Sequence, residues 1–233
     1  MDGCPGGWIV VLAGMAADAE QPVQMIGRLC TAFAAVLALP ERPVSIAVDM
    51  PIGLLDRATP GGRICDREAR ALLGRPRASS VFSPPTRNAL AARCYGEVAA
   101  LNGAGMSKEA FNILPKIREV DTLLDSAWQD TLVEAHPELA FLGFAGRPMQ
   151  HNKRTPAGRR ERMKLLRQIL GKVCVDPAHV RAEHGLSRVG VDDVLDACAL
   201  AIVAARRWRE AAQRLPARNP PRDAKGLRME IWY

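Results

Sequence analysis

The stretch DGCPGGWIVVLAGM, residues 2–15, places an aspartate and a glycine-rich turn directly ahead of an apolar run. The run WIVVLAGM (8–15) is typical of a β-strand, and VQMIGRLC (23–30) predicts a second strand after a polar connection. Only Met1 precedes Asp2, so any strand that carries Asp2 is expected to be short. Asp2 is therefore either a solvated terminal residue or a carboxylate that a strand delivers to a functional site.

The rest of the chain alternates between strand-like and helix-like segments. The apolar run VSIAVDMPIGL (44–54) predicts a buried strand, and TLVEAHPELAFLGF (131–144) is interpreted as a strand followed by a turn. A long helix is predicted over VDDVLDACALAIVAARRWREAAQRL (191–215), with acids at its start and arginines towards its end. This alternation predicts an α/β fold. We expect one domain over residues 1–233, with a helical insertion around 56–128.

Carboxylates lie at the ends of several predicted elements, and we take the following as candidate site residues: Asp2, Asp49, Glu134, Asp193 and Asp196. Asp193 and Asp196 are three residues apart, so a helix projects both from one face. Carboxylates that meet at one point repel one another unless they share a proton or bind a cation. Oxygen ligands are those that Mg²⁺ and Mn²⁺ prefer.

Each candidate also has a structural interpretation. Asp193 could only favour the helix dipole, Asp192 could cap the helix, and His136 before Pro137 is interpreted as a turn residue. Asp49 and Glu134, at the ends of apolar strands, favour a functional role because a buried acid is costly unless it is paired.

Positive charge is concentrated in one segment of the chain. Residues 151–172 carry eight Lys or Arg against one Glu, in a chain whose formal net charge is +7. Such a block suits a polyanion such as nucleic acid, and a solvated helix face is the alternative. The aromatic content of 5% disfavours a stacking platform for single strands. The candidate phosphate contacts are Lys116, Lys153, Arg159, Arg160 and Arg162.

Composition also limits the cellular compartment in which the protein is expected. No apolar run reaches the roughly 20 residues that cross a bilayer, and no signal peptide is recognised at the start of the sequence. The six cysteines are scattered without a CxxC pair, which argues against zinc and disulfides and favours reduced thiols in the cytoplasm. We therefore expect a cytoplasmic protein with no membrane partner, and a homodimer is compatible with the sequence.

Several motifs together carry a resemblance to a known family: DGCPGGW, VDMPIGL, CDREAR, SSVFSPP, PKIREVD, EAHPELAF, the segment 153–158 and DDVLDA. They resemble the domain of unknown function 429 family, which is regarded as a family of predicted nucleases with an RNase H-like fold. DGCPGGW, VDMP and DVLDACALA are also similar, more loosely, to motifs of RuvC-type resolvases.

The resemblance implies a mixed central sheet of about five strands flanked by helices, with the acids gathered at one edge. It implies Asp2, Asp49 and Asp193 as metal ligands and Asp196 as a further ligand or water-orienting acid. Glu134 belongs to the EAHPE motif and would be an accessory acid.

These observations lead to a hypothesis of a metal-dependent nuclease that uses Mg²⁺ or Mn²⁺ and hydrolyses phosphodiester bonds of DNA or RNA. Two alternatives stay open. An ATP-binding phosphotransferase can share this broad fold, although the residues after the first glycines lack the expected Ser or Thr. A non-catalytic protein would bind nucleic acid with a steep salt dependence and no turnover.

Overall fold

Short strands and helices alternate along the chain in the computed structural model, which describes residues 1–233. The strands are β1 (Asp2–Cys4), β2 (Gly7–Gly14), β3 (Gln24–Cys30), β4 (Ile46–Val48), β5 (Leu132–Glu134), β6 (Arg214–Leu215) and β7 (Ile231–Trp232). The α-helices are α1 (Phe33–Leu37), α2 (Ile64–Leu73), α3 (Tyr95–Asn102), α4 (Lys108–Asn112), α5 (Leu114–Leu123), α6 (Pro137–Ala145), α7 (Pro156–Leu170), α8 (Pro177–His184) and α9 (Val191–Trp208). Short 3-10 helices cover Arg77–Ser80, Arg87–Ala91, Ser126–Asp130 and Gly171–Val173. The predicted mixed α/β class is confirmed.

The chain divides into two compact units. The first contains Met1–Asp49, Ala135–Gln213 and Trp232–Tyr233, and the second contains Met50–Glu134 and Arg214–Ile231. None of the helices has both the length and the apolar character needed to cross a membrane.

The largest sheet lies in the first unit and has three antiparallel strands in the order β1-β2-β3. Its register pairs Asp2 with Ile9 and Trp8 with Cys30. The turn between β1 and β2 requires Gly7, whose φ of 128° is unfavourable for other residues and where a Cβ atom would lie 2.2 Å from the Cys30 carbonyl oxygen. The sheet has three strands, fewer than the number predicted.

Backbone hydrogen bonds connect further extended segments of the first unit to this sheet. The Met1 nitrogen donates to the Ala47 carbonyl oxygen at 2.7 Å, and the Asp49 amide donates to the Met1 carbonyl oxygen at 3.1 Å. The Ala135 amide donates to the Val48 carbonyl oxygen at 2.9 Å, and Ala135 also forms a parallel bridge with Trp232. The start of β1 thus runs alongside β4.

The core of the first unit forms where α9 covers this sheet. The helix packs against β1, β2 and β4, and α6, α7 and α8 pack against the helix in turn. Ile9 and Val11 project from β2 into the same buried cluster as Val194 and Ile202 of α9. Apolar residues occupy nearly every position of α9 between 194 and 205, which buries this part of the helix on several sides.

The second unit is mainly helical and contains α2 to α5 together with β5 and β6. Leu73 of α2 and Ile117 of α5 are among its fully buried side chains. Its first segment includes the residues predicted as a helical insertion, 56–128.

The predicted strand that carries Glu134 is confirmed, and a helix begins at the predicted turn at His136-Pro137. Only Leu132–Glu134 is extended, and α6 begins at Pro137. Proline suits the first turn of a helix because the amide that it lacks would have no partner there. The His136 Nδ1 atom accepts a hydrogen bond from the Glu138 amide and so caps the helix.

Candidate metal centre

Two strand ends of the first unit bring Asp2 and Asp49 together. Asp2 begins β1, and Asp49 directly follows β4. Because Met1 bonds to Ala47 on one side and to Asp49 on the other, the two strand segments run side by side at this point. The predicted delivery of a carboxylate to the end of the buried strand at Asp49 therefore agrees with the structure.

Asp196 completes a group of three carboxylates. It lies within the buried part of α9, and its side chain has no solvent exposure. One carboxylate oxygen from each of Asp2, Asp49 and Asp196 can be chosen such that all three lie within 4.8 Å of one another. Three oxygens at this separation can reach a common cation.

Burial and mutual repulsion oppose full ionisation of the group. Burial raises the pKa of Asp2 well above its usual value, and the charge of Asp49 raises it further. Burial also raises the pKa of Asp49, although His136 and Lys153 act in the opposite direction. A cation bound among the three carboxylates would oppose both effects.

Lys153 is the cation closest to Asp196. Its Nζ atom donates to Asp196 Oδ2 at 2.5 Å. Burial alone would lower the pKa of Lys153, but the charges of Asp196, Asp2 and Asp49 raise it above its ordinary value. The other oxygen of Asp196, Oδ1, is buried and has no hydrogen-bond partner. A buried carboxylate oxygen without a partner is costly unless a cation satisfies it.

Asp193, predicted as a metal ligand, lies outside this group of three. Its Oδ2 atom accepts a hydrogen bond from the Gly190 amide at 2.9 Å, so it caps the start of α9. Burial raises the pKa of Asp193 as well. The predicted set of Asp2, Asp49 and Asp193 thus differs from the observed group, in which Asp196 takes the third position. The predicted cap at Asp192 is also wrong, because the N-cap residue is Gly190.

Glu134 belongs to a different cluster, in the second unit. Arg63 donates to both of its carboxylate oxygens, at 2.7 and 2.6 Å, and the Ile52 amide donates to Oε2 at 2.7 Å. Arg63 also pairs with Asp66 at 2.7 Å, and all three charged side chains are buried. Burial raises the pKa of Glu134 to about 7, against the opposing effect of Arg63. These contacts give Glu134 a structural role as the partner of a buried arginine.

The predicted phosphate-binding residues have different surroundings. Arg162 is fully buried, where it donates to Glu138 and to the His151 carbonyl oxygen, so the prediction that it contacts a phosphate is wrong. Arg160 is exposed on α7, and Arg159 lies 3.8 Å from Asp192. Lys116 is half-buried on α5 in the second unit.

The sequence interpretation missed that His136 lies close to this site. It was interpreted as a turn residue, and it does cap α6, yet it also lies close enough to Asp49 to stabilise the charge of that carboxylate. The available signal was its position two residues beyond Glu134, where the chain leaves β5.

Fold and site together define a mixed α/β protein with a centre of two buried carboxylates and one half-buried carboxylate against a small antiparallel sheet. The chain belongs to the family described as "Protein of unknown function (DUF429)", whose profile matches residues 1–220. The predicted family is therefore confirmed. No curated protein and no solved structure matches the chain.

Proposed function

We propose that the first unit has an RNase H-like fold. The bonds between Met1 and residues 47 and 49, the bond between Ala135 and Val48, and the bridge from Ala135 to Trp232 support this interpretation. They would extend the order β3-β2-β1 through β4 to residues 135 and 232, as a mixed sheet of six segments where about five strands were predicted. The carboxylates would then lie at one edge of that sheet.

We further propose that the carboxylate group binds Mg²⁺ or Mn²⁺. The donor set fits a hard divalent cation, because it consists of carboxylate oxygens without nearby cysteine ligands. The observation that carries this proposal is the Oδ1 atom of the fully buried Asp196, which has no hydrogen-bond partner. The carboxylates of Asp2 and Asp49 lie beside it. Asp2, Asp49 and Asp196 would hold the ion.

The reaction that this site supports best is hydrolysis of a phosphodiester bond in nucleic acid. A bound divalent cation would supply stabilisation of the negative charge that develops on the phosphoryl oxygens. The three carboxylates would position that cation, and Lys153 would offer an ammonium to a substrate phosphate. Arg159 and Arg160, on the adjoining helix α7, would hold the sugar-phosphate backbone.

The test is cleavage of single-stranded, duplex, branched and hybrid substrates with Mn²⁺, Mg²⁺ or EDTA. We expect Asp49→Asn and Asp196→Asn each to lower metal-dependent cleavage by at least about a hundredfold, since even residues that only orient metal ligands change activity by roughly 10–100-fold. Asp192→Asn is the matched control, because Asp192 lies in the first turn of the same helix and outside the group of three.

Full cleavage by both site variants would contradict the proposal. Salt-sensitive nucleic-acid binding without cleavage under any metal condition would instead support the non-catalytic alternative. The contact of Lys153 with Asp196 favours that alternative, because an ammonium already compensates part of the charge.

A further inference from the structure

Lys153 lies at the point where a cation would bind the carboxylate group. Its Nζ atom is 2.5 Å from Asp196 Oδ2, and its charge acts on both Asp2 and Asp49. Asp196 is fully buried, and Lys153 forms a salt bridge with its carboxylate. The ammonium therefore performs the electrostatic task that a divalent ion would perform.

The Lys153 ammonium lies at the end of a long, partly exposed side chain whose backbone is anchored. The side chain is 32% exposed, and its flexible four-carbon stem follows the polar segment between α6 and α7. The backbone around it is fixed on both sides, because the Asn152 carbonyl oxygen accepts bonds from the Thr155 amide and hydroxyl. Gly158 lies so close to Asn152 that a Cβ atom would be 2.0 Å from the Asn152 carbonyl oxygen. An anchored backbone with a long, partly exposed side chain gives the ammonium a path from one partner to another.

We propose that Lys153 is a resident counter-cation, which a divalent metal displaces from Asp196 when it binds the three carboxylates. The displaced ammonium then faces solvent at the metal centre, where a substrate phosphate is the next available anion. This inference rests on the proposed metal site and adds a competition between a lysine and a metal for the same carboxylate. Its consequence is that metal affinity is weaker than the three carboxylates alone would produce.

The test measures Mn²⁺ affinity in the absence of nucleic acid, by isothermal titration calorimetry and by the electron paramagnetic resonance signal of free Mn²⁺. We expect Lys153→Met to bind Mn²⁺ about tenfold or more tightly than the unsubstituted protein, because a competing charge within a few ångströms has been removed. Lys108→Met is the matched control, since Lys108 is exposed at the start of α4 and is expected to leave Mn²⁺ affinity unchanged. Lys153→Gln is a second variant for the case in which Lys153→Met does not fold, as judged by circular dichroism.

Equal or weaker Mn²⁺ binding by the folded Lys153 variants would overturn the inference, and so would the absence of Mn²⁺ binding by every protein tested. The outcome is separable from the proposed nuclease activity. If Lys153→Met binds Mn²⁺ more tightly but the unsubstituted protein cleaves no substrate, the inference stands and the proposed function fails. If the unsubstituted protein cleaves a substrate but Lys153→Met binds Mn²⁺ with unchanged affinity, the proposed function stands and the inference fails.

Discussion

Asp2 shows at the scale of single residues how the site is coupled to stability. It is only 7% exposed, and burial raises its pKa well above the usual 3.8. The folded protein therefore binds this proton more tightly than the unfolded chain does. The stabilisation is complete below pH 3.8 and is lost as the pH rises through the folded-state pKa.

We accordingly expect the free energy of unfolding in EDTA to fall as the pH is raised from 5 to 8. Asp2→Asn should make this fall smaller, because asparagine has no carboxyl proton to release as the pH rises. Urea denaturation at each pH measures the effect, and saturating Mn²⁺ should reduce the fall in the unsubstituted protein. A pH profile of Asp2→Asn that matches the unsubstituted protein would contradict this expectation.

Single residues also mark how far sequence reasoning reaches. The position of Glu134 at a strand end was predictable, because an acid that ends an apolar run must have a partner. The identity of the partner was not, since Arg63 is 71 residues away in the chain and nothing in its local sequence indicates Glu134. Arg162 was misinterpreted for the same reason, because its partner Glu138 is 24 residues away.

At the scale of elements, α9 assigns different tasks to its two neighbouring acids. Asp193 bonds to the Gly190 amide at the start of the helix, whereas Asp196 faces the sheet with no exposure. Their spacing of three residues predicts that both lie on one face of the helix. The spacing alone does not show that one of the two carboxylates bonds to the backbone at the helix start. The distinction depends on where the helix begins.

Asp193→Ala should therefore lower the free energy of unfolding by about 1 kcal/mol, which is typical for loss of a helix cap. Its Mn²⁺ affinity should stay far closer to that of the unsubstituted protein than the affinity of Asp196→Asn does. Denaturation and calorimetric titration of both variants make the comparison. If Asp193→Ala loses Mn²⁺ as completely as Asp196→Asn, Asp193 is a ligand as the sequence first indicated.

Helix boundaries explain the remaining errors in the predicted elements. The sequence predicts a turn at His136-Pro137 but no helix after it, although Pro137 is a signal for the helix start that the structure shows. The helix predicted to reach 215 ends at Trp208, and Glu210 then adopts a positive φ of 56°. The start of α9 was predicted correctly, because the acids and the long apolar run that follows them indicate one element.

Across the whole molecule, the net charge of +7 is less available than the sequence suggests. Within the basic segment 151–172, Lys153 and Arg162 are engaged by Asp196 and Glu138. Arg160 and Lys164 are exposed one turn apart on α7 and remain able to contact phosphates.

The double variant Arg160→Gln/Lys164→Gln should therefore weaken nucleic-acid binding across all sequences. The slope of log affinity against log salt concentration should decrease in magnitude by up to about 2, because each lost phosphate contact contributes about 0.9. Fluorescence anisotropy with labelled DNA and RNA over a salt series measures the slope, with Lys116→Gln as a comparison in the second unit. An unchanged slope would place the polyanion contacts elsewhere.

Asp2 and Asp196 are far apart along the chain, so Asp2 leaves the ribosome long before Asp196. The 193 residues between them take about 10 to 40 s to synthesise at 5–20 residues per second. During that interval β1 and β4 have emerged without the helix that covers them, and their apolar residues are open to chaperones. A chain whose synthesis stops before residue 191 lacks the helix that covers these strands, so their apolar residues stay exposed.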